Sequence, residues 1–489
     1  MKLVGVRCLT LFVALSVGCG DSSSGAGGAG GVGGSAGTPG SNSPPTQILL
    51  SASSVSECAS PGSAIGTLTV SDPDAGDTHT LELLTQNDKF GLVDSELRTI
   101  ADFDFDFETG PGFDVVVRAT DEGGLTHEET IAISVRDELE ISSLANAGPG
   151  TLRELLAVAP AGSTICVESG VVGTIEISTE AINVSTSLTL VGPGAEQLRV
   201  SGGDALPILV VEVSGDLTLR GVTLTNALGT AIRNDGTLTL TDSVVKDSTA
   251  AGTGRGACVT SAGALSVSRV TFRGCSAFNA GAIDIVGGSA TFEAVTFSEN
   301  STTGNSGAAM VANASAVVAV TNSTFSGNFT TGTNRVGGAV AAFGGPAEGS
   351  LTLRHNTFFD NTATGEGGGL YMSSDTVVRL ESNIFAGNTA TAGPGIFRSA
   401  SAVTTSLGYN LLEDGADSGL ADGVDNDIVG SSAMLGPLTD NGGSTLTHLP
   451  DPMSPAHDVI PPESCSVDLD QRDASRPVGE GCDIGSVEF

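Results

Sequence analysis

The strongest constraint on how this chain can fold is an internal repeat between residues 264 and 395. Each unit contains a short apolar run, a phenylalanine (spaced by 25, 28, 33 and 27 residues), a polar residue three positions later and a glycine-rich turn. The phenylalanines are Phe272, Phe297, Phe325, Phe358 and Phe385. The residues three positions later are Cys275, Asn300, Asn328, Asn361 and Asn388. One unit cannot bury its apolar face alone, so the units are expected to stack.

This repeat predicts a right-handed parallel β-helix in which each unit is one coil of two or three short strands. The phenylalanines and the alternating Leu and Val residues would fill the interior, and the asparagine column would form an amide ladder at a bend. Cys275 takes an asparagine position as a small buried thiol or as half of a disulfide. Upstream, Thr151 and Glu154 have capping-box spacing, so "TLRELLAV" is predicted as a short capping helix. We place the β-helix at residues 141–410.

Two further segments carry a resemblance for this half of the chain. The opening "NAGPGTLRELLAVAPAGSTI" and the C-terminal "LGPLTDNGGSTLTHLPDP" with "DQRDASRPVGEGCDIGSVEF" resemble exported bacterial β-helix proteins of the polymorphic outer-membrane-protein and choice-of-anchor type. The resemblance implies a pectate-lyase-like β-helix closed by a C-terminal module at residues 411–489, and it specifies no activity. Within that module, a charge-assisted bond between Asp470 and Arg472 is expected to brace the loops.

Residues 46–140 have a different pattern. Six short strand-like runs recur at 8–12-residue spacing, which is typical of a β-sandwich. Acidic residues fall at the strand ends, and "SDPDAGD" places Asp72, Asp74 and Asp77 in one turn. Ca²⁺ takes six to eight oxygen ligands, so carboxylates from several loops suit it. The alternative is that these acidic turns only solvate an exported domain.

The same residues resemble a cadherin repeat through "DPDAGD", "DFE", "RATDEGG" and "SVRDELE". The resemblance implies a Greek-key sandwich with Ca²⁺ at its ends. It implies as calcium ligands Glu57, Asp72, Asp74, Asp106, Glu108, Asp121 and Asp137. Cadherin calcium sites form between consecutive repeats, but only one repeat is visible here and "DELE" replaces the usual linker. Each end would therefore carry only part of a site.

The N-terminus has the features of an export signal. Lys2 and Arg7 precede a short apolar run that ends at Cys19. The end "LSVGCG" resembles a bacterial lipobox, with Ser16 where the family usually has Leu, so we expect a signal peptide at residues 1–18 and lipidation of Cys19. The alternative is an ordinary signal peptide cut near Gly18 or Gly20. A Gly/Ser-rich tether is predicted at residues 19–45.

This arrangement implies a protein lipid-anchored at the cell surface or outer membrane of a Gram-negative bacterium. The formal net charge of −36 argues against nucleic acid as a partner and against docking on anionic lipid, so the lipid anchor would be its only membrane contact.

Six cysteines remain besides Cys8 and Cys19, and an even number in an exported chain predicts disulfides. The best candidate pair is Cys465 with Cys482, followed by Cys258 with Cys275. Cys58 and Cys166 are then left over and would join the two domains.

No catalytic residues are predicted. The "DD", "GHG" and "RIK" signatures of polygalacturonase-type β-helix enzymes are absent, and Lys246 is expected to form a solvated ion pair. Arg354 and His355 are expected at the surface. Aromatic residues for sugar binding are scarce, because Tyr371 and Tyr409 are the only tyrosines.

The sequence therefore favours calcium-dependent adhesion or surface interaction, with Ca²⁺ and another cell-surface protein or a second copy as partners. A β-helix that binds or degrades polysaccharide is the alternative, with a glycan as partner. A coat protein with no specific ligand is third.

Overall fold

The computed structural model describes residues 42–100, 105–304, 306–344 and 351–489. This part of the chain is nearly all β, with one α-helix and one short 3₁₀ turn, Pro462–Ser464. Within it, no helix is long and apolar enough to cross a membrane. The predicted signal peptide, the lipidation site Cys19 and most of the tether lie outside the described residues.

The N-terminal region is a β-sandwich of two four-stranded sheets. Its strands are β1 Gln47–Leu50, β2 Ser54–Ser56, β3 Ala64–Ser71, β4 His79–Leu83, β5 Phe90–Val93, β6 Glu96–Thr99, β7 Gly112–Asp121 and β8 Thr126–Arg136. One sheet has the order β1-β3-β6-β5 and the other β2-β8-β7-β4. Inward residues alternate along β7, where Val115, Val117 and Ala119 are fully buried, as expected for strands with one face on a core.

A short strand and the single α-helix connect the sandwich to the second region. Strand β9, Leu139–Ile141, pairs in parallel with Ser163–Val167, the first full strand of the solenoid. Helix α1, Leu152–Val158, begins as predicted at Thr151, whose hydroxyl accepts a hydrogen bond from the Glu154 N–H, and its buried leucines cover the first coil.

The second region is a solenoid of parallel strands stacked in four sheets. Sheet A contains β9 and Ser163–Val167, Ser187–Val191, Asp216–Arg220, Thr237–Thr241, Ala264–Ser268, Gly288–Glu293, Ala316–Thr321, Leu351–Arg354, Val377–Glu381 and Val403–Gly408. Sheet B contains Gly173–Glu176, Leu198–Ser201, Thr223–Thr225, Val244–Lys246, Thr271–Arg273, Thr296–Ser298, Thr324–Ser326, Thr357–Phe359, Ile384–Ala386, Leu411–Leu412 and Ile428–Val429. Sheet C contains Ile182–Val184, Leu209–Val211, Ile232–Asn234, Val259–Ser261, Ile283–Ile285, Met310–Ala312, Val340–Ala342, Leu370–Met372 and Ile396–Arg398. Sheet D contains Thr249–Arg255, Ser276–Asn279, Ser301–Thr302 and Phe329–Thr330.

The repeat maps onto the solenoid interior as predicted. The five phenylalanines stack in one buried column, with ring centroids 4.5 Å apart both from Phe325 to Phe358 and from Phe358 to Phe385. The asparagines form a ladder in which the side-chain amide of Asn328 donates to Oδ1 of Asn361 at 2.9 Å. Each rung therefore fixes the register of the next coil.

A second amide ladder, which the sequence analysis missed, runs at the turn between sheets A and B. The Asn356 side-chain amide donates to Asn383 Oδ1, Asn383 donates to Asn410 Oδ1, and Asn410 donates to Asp427 Oδ1, each at 3.0 Å. These residues stand two positions before Phe358, Phe385, Leu412 and Val429. That regular offset was the available signal.

The C-terminal residues do not simply cover the end of the solenoid, because they fold back along the outer face of sheet B. The His448 ring lies 2.9 Å from Ser326 Oγ, and the buried Gln471 accepts a hydrogen bond from the Thr324 hydroxyl at 2.6 Å. The predicted brace is present, with Arg472 Nε donating to Asp470 Oδ2 at 2.9 Å. The sheet B strands Thr296–Ser298, Thr324–Ser326 and Ile384–Ala386 are consequently buried on both faces.

Two expectations for charged residues have different outcomes. Lys246 forms the expected exposed ion pair, 3.7 Å from Asp247. The surface placement of His355 is wrong, since it is fully buried beneath the C-terminal residues. It occupies a turn with φ of +51°, and that turn is covered by the segment containing Arg476. Burial, together with the Arg476 charge, lowers the pKa of His355 well below its usual range.

Candidate metal centres at the two ends of the sandwich

The outer cluster of the sandwich is formed by Asp72, Asp74, Asp77 and Asp121. Asp72 and Asp74 follow β3, and Asp121 ends β7, which is antiparallel to β4. One carboxylate oxygen from each of Asp72, Asp77 and Asp121 lies within 4.8 Å of the other two. Carboxylate oxygens at this separation can reach a single cation.

Neighbouring groups already hold much of the outer cluster in place. The His79 ring lies 2.9 Å from Asp72 Oδ2, and the Asp74 N–H donates to Asp72 Oδ1 at 2.8 Å. The Asn42 amide donates to Asp121 Oδ2 at 2.9 Å. Hydrogen bonding to His79 lowers the pKa of Asp72, whereas burial and the surrounding carboxylates raise the pKa of Asp77.

The junction cluster lies at the other end of the sandwich, against the solenoid. Glu57 is its buried member, with 6% of its surface exposed. Its two oxygens accept backbone N–H groups of Glu138 at 2.6 Å and of Phe107 at 3.2 Å, which aim the carboxylate. Burial raises the pKa of Glu57, and the charges of Glu108 and Asp137 add to the rise.

The solenoid and the connecting strand contribute carboxylates to the same place. A cavity of about 660 Å³ between the two regions is lined by both sides. Its acidic lining residues are Glu57, Asp106, Glu108, Glu140 and Glu168. Burial raises the pKa of Glu140 to about 7, and the charges of the other four carboxylates add to the rise.

The Cys58–Cys166 disulfide explains why these groups meet. It joins the sandwich to the first full strand of sheet A, with Cα atoms 5.6 Å apart. Glu57 precedes Cys58, and Glu168 follows Cys166 by two residues. The other two expected disulfides, Cys258–Cys275 and Cys465–Cys482, are also present.

The structure divides the seven expected ligands between two separate places. Asp72, Asp74 and Asp121 meet in the outer cluster, whereas Glu57, Asp106, Glu108 and the exposed Asp137 lie at the junction. Because β7 runs between the two ends, they are roughly 30 Å apart. No single site therefore contains all seven residues.

Three acidic residues were absent from the expected ligand set. Asp77 lies in the same turn as Asp72, and Glu140 lies in "DELE", so both were visible in the sequence. Glu168 could not be identified from the sequence, because only the fold brings it close to the sandwich.

Comparison with known proteins agrees with the solenoid. Residues 207–432 match the family described as "Right handed beta helix region". No curated protein matches the chain. Among solved structures, the extracellular domain of protocadherin GammaB4 matches at 20% sequence identity and a TM-score of 0.14, over 21% of this chain and 19% of that one. The chain thus spans about a fifth of that structure. The solenoid is a right-handed β-helix, preceded by a β-rich N-terminal region.

Proposed function

We propose that the sandwich is a cadherin-like calcium-binding domain, and that the protein mediates calcium-dependent adhesion or surface interaction. In this proposal Ca²⁺ binds at both ends of the sandwich. The partner is another cell-surface protein or a second copy of this chain, and lipidation of Cys19 anchors the protein at the surface.

The observation that carries the proposal is the convergence of five carboxylates at the junction. Gathering like charges costs free energy unless a cation balances them. Within the described residues lining this cavity there is no Lys or Arg. Ca²⁺ is the suitable counter-ion, because it accepts many oxygen ligands in flexible geometry.

The outer cluster supports a second, weaker site. Asp72, Asp77 and Asp121 offer oxygens close enough for one ion, but His79 and Asn42 already occupy part of their hydrogen-bonding capacity. This end faces away from the β-helix, so a partner molecule could supply the remaining ligands. Calcium at this end would then depend on contact with the partner.

Calorimetric titration with Ca²⁺ and thermal melts in Ca²⁺ or EDTA test the proposal. We expect saturable binding and a higher melting temperature in Ca²⁺, since a ligand that binds only the folded state stabilises it by mass action. Glu57→Gln with Glu108→Gln should remove the tighter site, and Asp72→Ala with Asp74→Ala the weaker one. Glu293→Gln, at a distant position in sheet A, is the matched control.

If millimolar Ca²⁺ gives neither heat of binding nor a shift in melting temperature, the acidic turns serve only to solvate the domain. Adhesion is tested separately by coating beads with the protein and following their aggregation. We expect aggregation in Ca²⁺, dispersal in EDTA and no aggregation of the Asp72→Ala, Asp74→Ala variant. Calcium binding without aggregation would leave the ion a structural role and contradict self-adhesion.

A further inference from the structure

A histidine and two aspartates converge in the C-terminal residues that fold back along sheet B. His457 and Asp458 precede Ile460, and Asp483 follows Cys482. Ile460 and Cys482 form an antiparallel bridge through two backbone hydrogen bonds of 2.8 and 3.0 Å. One ligand-type atom from each of His457, Asp458 and Asp483 lies within 4.8 Å of the other two. The bridge thus creates a group of side chains, here called the C-terminal cluster, from two segments of the chain.

Asp483 is the fixed member of the C-terminal cluster. It is fully buried, and its two oxygens accept the backbone N–H groups of Asp458 and Phe489, each at 2.7 Å. Its Oδ1 also lies 3.1 Å from His457 Nδ1. A carboxylate can only accept hydrogen bonds, so this contact places a proton on Nδ1 of His457. In the neutral imidazole, the free lone pair is then on Nε2.

Asp458 presents a second lone pair to the same point. Its Oδ1 accepts the Gly481 N–H at 3.0 Å, whereas its Oδ2 lies 3.4 Å from His457 Nε2. Two atoms that both carry lone pairs repel each other at this distance unless a cation lies between them. Two ligands that are each about 2.1 Å from a tetrahedral metal ion stand about 3.4 Å apart. The spacing of Nε2 and Oδ2 therefore fits a shared metal ion.

We propose that His457 Nε2 and Asp458 Oδ2 bind Zn²⁺. Imidazole nitrogen and carboxylate oxygen are both zinc ligands, whereas Ca²⁺ and Mg²⁺ take oxygen ligands, so this site differs in chemistry from the carboxylate clusters of the sandwich. Asp483 is the positioning residue, because it orients the imidazole through Nδ1–H as carboxylates commonly do behind zinc-binding histidines. Both ligand side chains are partly exposed, so water molecules complete the coordination of the ion.

The surroundings of His457 differ from those of the other histidines. Among the described residues, His457 is the one histidine that belongs to a group of three close ligand-type side chains. His355 and His448 are buried. His127 is partly exposed on the sandwich and lies 3.2 Å from one carboxylate, that of Glu129. A partly exposed histidine beside a carboxylate therefore occurs twice, but only His457 is also held by a second, buried carboxylate.

The test is calorimetric titration of the full chain with ZnCl₂ in millimolar Ca²⁺, so that Ca²⁺ competes for the carboxylate clusters of the sandwich. We expect saturable Zn²⁺ binding that His457→Gln and Asp458→Asn each weaken at least about tenfold, a change of about 1.4 kcal/mol. Zn²⁺ should also shift the imidazole NMR signals of His457, which are assigned by their absence in His457→Gln. Mg²⁺ at the same concentration should leave these signals unchanged. None of these measurements depends on whether Ca²⁺ binds the sandwich.

His127→Gln is the matched control, because it removes a partly exposed histidine that faces one carboxylate. This variant should bind Zn²⁺ as the wild type does, and melting curves in EDTA establish that each variant is folded. Equal Zn²⁺ binding by the wild type and His457→Gln would place the ion elsewhere. An equal loss in His127→Gln would indicate adventitious surface binding. Absence of saturable binding would leave a proton on Nε2 as the counter-charge of Asp458. Each of these three results would overturn the proposal.

Discussion

In the β-helix, buried polar side chains bond to one another along the stack, whereas at the ends of the sandwich carboxylates face carboxylates. Asn361 illustrates the first arrangement, since its amide donates to Asn388 and to a backbone carbonyl of the preceding coil. Glu140 illustrates the second, because the groups around it raise its pKa rather than lower it. Polar networks whose hydrogen bonds are all made rigidify a core. Unbalanced like charges repel one another, and a ligand of opposite charge relieves that repulsion when it binds.

This difference separates what stabilises the protein from what it can bind. The β-helix coils that carry the two amide ladders contain their own hydrogen-bond partners, so their stability should not depend on solutes. The junction between the two regions lacks a counter-charge among its described lining residues, so its stability should depend on cations and on pH.

The largest effect is expected from removing the disulfide that holds the junction together. Cys58→Ser with Cys166→Ser opens a covalent loop with a sequence separation of 108 residues, which corresponds to about 4–5 kcal/mol of unfolding free energy. The melting temperature of the sandwich should fall. The increase of this melting temperature in Ca²⁺ should also be lost, because Glu57 and Glu168 separate. Cys465→Ser with Cys482→Ser is the control, because these cysteines are only 17 residues apart in sequence. This variant should still have a higher melting temperature in Ca²⁺ than in EDTA.

A similar loss is expected inside the β-helix, but without any response to calcium. Phe358→Ala removes a fully buried ring from between two stacked neighbours and should cost about 3–5 kcal/mol. Chemical denaturation followed in Ca²⁺ and in EDTA should give the same loss. Phe329→Ala, a phenylalanine with 40% of its surface exposed, should change stability by less than about 0.5 kcal/mol. If the loss of unfolding free energy in Phe358→Ala differed between Ca²⁺ and EDTA, the stability of the β-helix would also depend on calcium, and the two regions would not differ in this respect.

A smaller effect is expected from breaking the amide ladder. Asn361→Ala leaves the N–H groups of Asn328 without their acceptor and should cost about 1–3 kcal/mol. Hydrogen exchange should show faster exchange at the coils on either side of the break. Exchange that rises equally throughout the solenoid would indicate that the ladder acts globally instead.

The interior of the β-helix was predictable because its constraints repeat locally. The Phe and Asn columns follow from spacing, and the alternation in β7 follows from one buried face. The acidic residues at the ends of the sandwich were also predictable from local sequence, because each of them lies in a short loop next to a strand. The second ladder is equally regular, because its residues stand two positions before Phe358, Phe385, Leu412 and Val429.

What the sequence did not reveal depends on contacts between distant segments. Glu168 reaches the junction only through a disulfide between two regions, and His355 is buried only because the C-terminal residues fold back over its turn. Tyr371 and Phe397 stack on each other because their coils are in register. None of these follows from a local pattern, since each needs the three-dimensional arrangement of whole elements.

The smallest predicted effect concerns the protonation of Glu140. Its folded-state pKa of about 7 lies above the ordinary value of 4.5, so the folded protein binds more protons than the unfolded chain between these pH values. In EDTA, the free energy of unfolding should therefore fall as pH rises from 4.5 to 7, by less than about 1 kcal/mol because solvent screens this partly exposed group. Melting curves of the wild type and of Glu140→Gln across this range isolate its contribution from the general repulsion of an acidic protein. Ca²⁺ should abolish the difference between the two proteins at pH 7, because the ion balances the carboxylates that raise the pKa. A difference that persists in saturating Ca²⁺ would place the ion elsewhere and leave the junction a purely structural cluster.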